Sequence, residues 1–208
     1  MRPKVRRLII ALWAVVIVAA LAFAVRIHLA GNSSAPVTAA TGASMAPAIG
    51  GPFTLVDHTG RTVTDADFRG KWMLIYFGFT YCPDVCPTSL TTMVDALDVL
   101  GEAGGKVVPV LISVDPERDT PAVLADYVAA FGPRVIGLTG APQQIAATAK
   151  AYRVYYAKAK PKDGAADTYL MDHSSIVYLV DPEGKFRQHF SGHQINADEM
   201  ARRLRDIL

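Results

Sequence analysis

The sequence predicts an α/β fold with a central mixed sheet and flanking helices, preceded by one N-terminal transmembrane helix. Three observations carry that expectation. Apolar runs of strand length, Trp72 to Phe79 and Val107 to Val114, alternate with segments whose apolar residues recur at helical spacing. Two strand-like runs near the C-terminus flank a turn signal, which adds an antiparallel extension. An uncharged stretch lies between basic residues at the N-terminus.

Residues 1–30 carry Arg2, Lys4, Arg6, Arg7 and Arg26 and no acid, and Leu8 to Val25 is uncharged. Its length is near the lower limit of a span, which Ile27 and Leu29 extend if Arg26 snorkels. Basic residues ahead of the stretch place the N-terminus in the cytoplasm and the body in the periplasm or another extracytoplasmic space. Ala22-Phe23-Ala24 offers a signal-peptidase site as the rival reading. Residues 31–51 are uncharged and rich in Gly, Ala, Ser, Thr and Pro, the composition of a flexible tether. Residues 52–208 are long enough for one substantial core. Of the 21 Lys and Arg in the 208-residue chain, five lie before residue 31, leaving 16 against 19 acids. So slightly acidic a domain is not expected to bind nucleic acid.

Within the domain, Phe53 to Val56 and Thr62 to Thr64 flank Asp57-His58-Thr59-Gly60, a hairpin signal. Trp72 to Phe79 reads as a strand buried on both faces. Leu90, Met93, Val94, Leu97 and Leu100 mark one helix face, which stops at Gly101. Val107 to Val114 is a second central strand, and Thr120-Pro121 caps a helix whose apolar face is Val123, Leu124, Tyr127, Val128 and Phe131. Val135 to Leu138 is a third strand, followed by a helix from Ala141-Pro142 to about Tyr152. An excursion spans Tyr155 to Asp172. Ile176 to Val180 and Lys185 to Phe190 form a hairpin about Asp181-Pro182-Glu183-Gly184, and Asn196 with Glu199 caps a last helix. This is a thioredoxin-like order, and such sheets place their sites at the carboxyl ends of central strands.

The only two cysteines stand at that end, in Cys82-Pro83-Asp84-Val85-Cys86-Pro87. Such a pair can form a disulfide, exchange with another thiol, or hold a soft metal ion. Proline restricts where the helix begins: a start at Pro87 puts Cys86 at the N-cap, where amide groups and the helix dipole favour a thiolate. The pair has three residues between its cysteines, against two in the common redox motif. No proline occurs between Pro161 and Pro182, where a thioredoxin has one facing its cysteines; the segment is Met171-Asp172-His173-Ser174-Ser175. Two thiolates and an imidazole form an N/S set that suits copper, whereas structural zinc needs a fourth ligand.

Tyr76-Phe77-Gly78-Phe79-Thr80-Tyr81-Cys82-Pro83-Asp84-Val85-Cys86-Pro87, Ile112 to Pro121 and Asp172-His173-Ser174-Ser175 resemble the three signature blocks of the Sco/SenC family of copper proteins. The resemblance implies a thioredoxin-like fold, a membrane tether, and copper, Cu(I) or Cu(II), bound by Cys82, Cys86 and His173. It implies delivery to the CuA centre in subunit II of cytochrome c oxidase, with an upstream copper donor and a thioredoxin-like reductant as further partners. It also makes Asp115 a group behind the ligands or part of a docking face; the alternative is an acid organising the Asp115-Pro116 turn. Arg118 and Asp119 read as a surface pair. His58, His189 and His193 read as solvated structural residues, Met93 as core and Met45 as tether, leaving Met171 as the methionine near the site. Two functions stand side by side: a copper metallochaperone, and a thiol-disulfide oxidoreductase that uses Cys82 and Cys86 as a redox-active pair to reduce the CuA-site cysteines.

Overall fold

A computed structural model describes residues 49–159, 169–191 and 195–208, together with scattered positions between 13 and 26. The chain divides into Met1–Ala46 and Pro47–Leu208. In the first unit Trp13, Ile17, Leu21, Phe23 and Val25 are helical and exposed. The rest of the expected span lies outside the described residues, among which no helix is long and apolar enough to cross a membrane. Most of the expected tether, Met45 included, is also outside them. The second unit is tied down from its start, where the Gly50 amide donates to the Ala151 carbonyl at 2.9 Å.

A seven-stranded mixed sheet forms the centre of the second unit. Its strands are β1 (Thr54–Asp57), β2 (Thr62–Thr64), β3 (Trp72–Gly78), β4 (Val107–Ser113), β5 (Ile136–Thr139), β8 (Ile176–Val180) and β9 (Phe186–Ser191), in the order β2-β1-β5-β4-β3-β8-β9. β3, β4 and β5 are parallel, and antiparallel pairs flank them on either side. β3 is central, and its residues from Met73 onward are all buried, which is why its sequence is continuously apolar rather than alternating. Both flanking hairpins turn on an aspartate. Asp57 Oδ1 accepts the amides of Thr59 and Arg61 at 2.9 and 3.0 Å, and Asp181 Oδ1 those of Glu183 and Lys185 at 3.1 and 2.8 Å.

The helices are α1 (Val85–Leu100), α2 (Pro121–Ala129), α3 (Pro142–Ala151) and α4 (Ala197–Arg205). Side-chain alternation along β3 puts Tyr76 and Gly78 on the face where Cys86 of α1 sits, and Phe77 on the other, against Tyr152 after α3. α1 buries Leu90, Met93 and Leu97, each worth roughly 1.5–3 kcal/mol, and ends at Gly101 with φ 60°. α2 starts as expected, with Thr120 Oγ1 accepting from the Val123 amide, and Asn196 caps α4 by accepting from Glu199 at 2.9 Å.

Two expectations need correction. The excursion before β8 contains a separate two-stranded sheet, β6 (Tyr156–Ala159) with β7 (Leu170–His173), in register Tyr156↔His173. Its residues lack the apolar alternation of a strand packed on the core, so no periodicity announced it. The second correction is the start of α1, which begins at Val85 with Asp84 as N-cap, two residues before Pro87. Pro87 is thereby the third helical residue, and the first helical bond runs from the Thr88 amide to the Asp84 carbonyl. The amide that proline lacks would have had no partner inside the helix, so the ring is tolerated there.

Candidate metal centre

The site lies where β3 leaves the sheet and β8 enters it. Because β8 runs antiparallel to β3, with Tyr76 opposite Val177, the chain leading into β8 passes the carboxyl end of β3. That chain is β7, and its last residue is His173. The imidazole sits between two rings, edge-on to Tyr76 at 5.9 Å and to Phe79 at 5.8 Å. Its Nδ1 is 3.3 Å from the Ser174 carbonyl oxygen, which can only accept, so Nδ1 carries the hydrogen and Nε2 presents its lone pair. Nε2 is 3.4 Å from Cys86 Sγ.

Cys82, Cys86 and His173 place their ligand atoms within 4.8 Å of one another, the only such group of three among the described residues. Both cysteines are unbridged. Cys86 is fully buried and Cys82 nearly so, at 8% exposure. They differ in what they receive from the helix. Cys86 is the second helical residue, and its own amide donates to Cys82 Sγ at 3.4 Å. That amide bond goes to Cys82, and burial pushes the Cys86 thiol up. The expected thiolate-favouring position of Cys86 is thus corrected: the N-cap belongs to Asp84, and desolvation at Cys86 outweighs the hydrogen bonds from Phe79 and Tyr76 that would favour a thiolate. A cleft of about 350 Å³ opens over Cys82, bounded by Phe79, Val85, Met171 and His173.

Two residues that sequence reasoning missed shape the sulfur position. A Cβ on Gly78 would stand 2.9 Å from both Cys86 Sγ and Tyr76 Cε1, so only glycine lets α1 approach β3 this closely. A lone glycine inside the apolar run was the available signal. Tyr76, also fully buried, directs its hydroxyl at Cys86 Sγ from 3.9 Å; it belongs to the first signature block, but no role in the site was expected of it.

Asp115 is buried and bonds none of the three ligand residues. Its backbone carbonyl accepts the amides of Arg118 and Asp119, as expected of a residue that organises a turn. Its carboxylate takes the Tyr169 hydroxyl at 2.7 Å and the Arg118 guanidinium. Arg118 and Asp119 do not pair on the surface, as had been expected. Asp119 is fully buried and accepts from the Thr80 amide and hydroxyl at 3.1 and 2.6 Å and from the Ser113 hydroxyl at 2.6 Å, anchoring the loop that leads to Cys82. Met171 lines the cleft at 7% exposure, and Met93 is core. His58 Nδ1 accepts from the Gly137 amide, His189 is an exposed residue of β9, and His193 lies outside the described residues.

A thioredoxin-like α/β domain carrying a Cys-Cys-His cluster at the end of its central strand defines a class, the thiolate and imidazole metal-binding proteins built on a redox fold. Within that class the chain belongs to the SCO1/SenC family, whose profile matches residues 41–208. The sco1 protein of Schizosaccharomyces pombe is 46% identical over 159 residues, 76% of this chain and 60% of that protein. The chain spans about half to 60% of the length of the curated relatives it matches. Among solved structures, copper-bound ScoI of Bradyrhizobium japonicum is 46% identical, with a TM-score of 0.69 over 77% of this chain and 100% of that one. Copper-bound ScoI of Arabidopsis thaliana is 45% identical, with a TM-score of 0.71 over 76% and 96%. The Sco family is one of cytochrome c oxidase assembly proteins, and the Cys82-Cys86-His173 cluster is consistent with copper binding.

Proposed function

We propose that this protein is a membrane-anchored copper chaperone that binds copper through Cys82, Cys86 and His173 and delivers it to the CuA centre of cytochrome c oxidase subunit II. In this reading residues 1–30 anchor the chain, residues 31–51 tether it, and residues 52–208 work outside the cytoplasmic membrane. The observation that carries the reading is the imidazole: Nε2 faces Cys86 Sγ at 3.4 Å, inside a triangle of ligand atoms no wider than 4.8 Å. A disulfide reductase has no obvious need of this ring, whereas a copper ion held by two thiolates gains a third donor from it. Binding would displace the thiol protons, so it requires both cysteines reduced. In an oxidising compartment a thioredoxin-like reductant serves that end, and an upstream donor supplies the ion. Cys82, nearest the cleft, is the sulfur placed to pass copper to an incoming ligand.

The rival reading, reduction of the CuA-site cysteines, is favoured by one observation: Cys82 Sγ lies at the cleft and receives an amide hydrogen bond, as an attacking sulfur would. His173→Ala separates the two. The folded variant is expected to fail in loading an apo-CuA domain and in restoring oxidase activity to a deletion strain, while still reducing an oxidised CuA domain at near the parent rate. Full complementation by it would promote the oxidoreductase. Protease added to spheroplasts of the same strain should reach the domain; a protected domain would sink the topology.

A further inference from the structure

We propose that Arg118 is a positioning residue for the metal centre, a latch that holds its cysteine side to its histidine side. This rests on the copper reading above. The residues involved form a cluster beside the site that the ligand geometry does not use. Asp115, 1% exposed, accepts the Tyr169 hydroxyl at one carboxylate oxygen and Arg118 Nε at the other. Arg118 Nη1 donates to the Tyr169 carbonyl at 2.9 Å. The guanidinium carbon lies 3.7 Å from the centre of the Tyr169 ring and 4.6 Å from that of Tyr81.

Those two rings belong to different parts of the chain. Tyr81 immediately precedes Cys82, and Tyr169 immediately precedes β7, which ends at His173. Arg118 thus touches both sides of the centre and no ligand, so it acts through its neighbours. Tyr81 is 58% exposed, and the guanidinium lies against both its ring and that of Tyr169. A flat, delocalised cation with several fixed donors can stack on two rings while bonding a carboxylate and a carbonyl; an ammonium cannot. Among the described residues Arg118 Nη2 is buried without a hydrogen-bond partner, in keeping with a guanidinium placed by its ring contacts. Asp115 in turn fixes the guanidinium and Tyr169 at once, giving this acid a part in the site without ligand contact.

The consequence differs between the two oxidation states. Cu(I) is satisfied by two thiolates, whereas Cu(II) depends on the third donor, so loosening the latch weakens the Cu(II) site first. The test uses the reduced full-length chain, titrated anaerobically with Cu(I) against a chromophoric competitor and separately with Cu(II). It compares the parent, Arg118→Lys, His173→Ala and the double variant. Arg118→Lys is expected to lower Cu(II) affinity about tenfold, the usual scale for groups behind a ligand, and to shift the thiolate-to-copper absorption band. In the His173→Ala background it should leave Cu(I) affinity unchanged, because the ligand it positions is gone. Unchanged Cu(II) affinity in the single variant overturns the latch, and so does a further Cu(I) loss in the double variant. If the parent binds no copper, the copper reading fails instead. Amide exchange then decides the latch alone: it should quicken at Tyr81–Cys82 and Leu170–His173 and nowhere else, and uniform or absent change overturns it.

Discussion

The two sides of the metal centre are built on different principles. The cysteine side is embedded in the core: Cys86 is fully buried on α1, pressed against Gly78 of the central strand, and the loop before Cys82 is pinned by the buried carboxylate of Asp119. The histidine side stands on β7, which pairs with β6 in a sheet of its own, and its outward residues Leu170 and Asp172 are exposed. Sulfur positions are therefore set by the same packing that stabilises the fold, and the imidazole is held by two ring edges and one carbonyl. On the proposed copper-delivery reading, such a division suits release of the ion, since the third donor can be given up without disturbing the core.

The largest expected effect comes from setting one side against the other. Cys86→Ser removes a sulfur and should abolish binding of Cu(I) and Cu(II) alike at micromolar protein, because an alcohol is neither soft nor ionised near neutral pH. His173→Ala should abolish Cu(II) binding and only weaken Cu(I). Anaerobic titrations of both variants check this, and equal loss of the two oxidation states in each would erase the distinction between the sides.

An intermediate effect is expected from Gly78→Ala. Its Cβ would meet Cys86 Sγ and Tyr76 at 2.9 Å and Leu111 at 3.3 Å, so either the helix or the strand must shift. Overpacking of this kind costs about 1–3 kcal/mol, and here it also displaces a ligand sulfur. Denaturant unfolding and copper affinity should fall together. The counterpart on the histidine side is Leu170→Ala: Leu170 is 47% exposed, and stability should change by no more than about 0.5 kcal/mol. A Leu170→Ala loss as large as that of Gly78→Ala would show that β7 is as much part of the core as β3.

The same division explains how much of the molecule was legible in its sequence. The cysteine side was readable because burial leaves a pattern: Trp72 to Phe79 is continuously apolar, Leu90, Met93 and Leu97 repeat at helical spacing, and the cysteines stand where those two elements join. His173 was found through the resemblance and through a missing proline. β6 and β7 were missed because a small, half-exposed sheet imposes no period on its residues. The start of α1 was misplaced because Pro87 was judged by its ring clash alone, although the third helical position needs no amide donor. The sequence offers Asp119 only as a surface partner of Arg118, because the three donors that meet it inside, from Thr80 and Ser113, come from residues far apart in the chain or on a strand.

The smallest expected effect is a pH dependence that belongs to the cysteine side. Burial raises the Asp119 carboxyl above its ordinary value, against the opposing pull of its bonds from Ser113 and Thr80. A carboxyl whose pKa is higher folded than unfolded binds more protons in the folded state. Its contribution to stability is therefore present at low pH and is lost as pH rises from about 4, the unfolded value, through the raised one. Asp119→Asn carries no such titration. The stability of the parent minus that of Asp119→Asn, from urea unfolding at a series of pH values, should decline across that window and then level off. Amide exchange at Thr80 should quicken in the variant, while that of β7 stays as in the parent. A difference that grows with pH would mean that the three hydrogen bonds outweigh burial, and that the loop before Cys82 is held by a carboxylate more favoured inside the protein than in water.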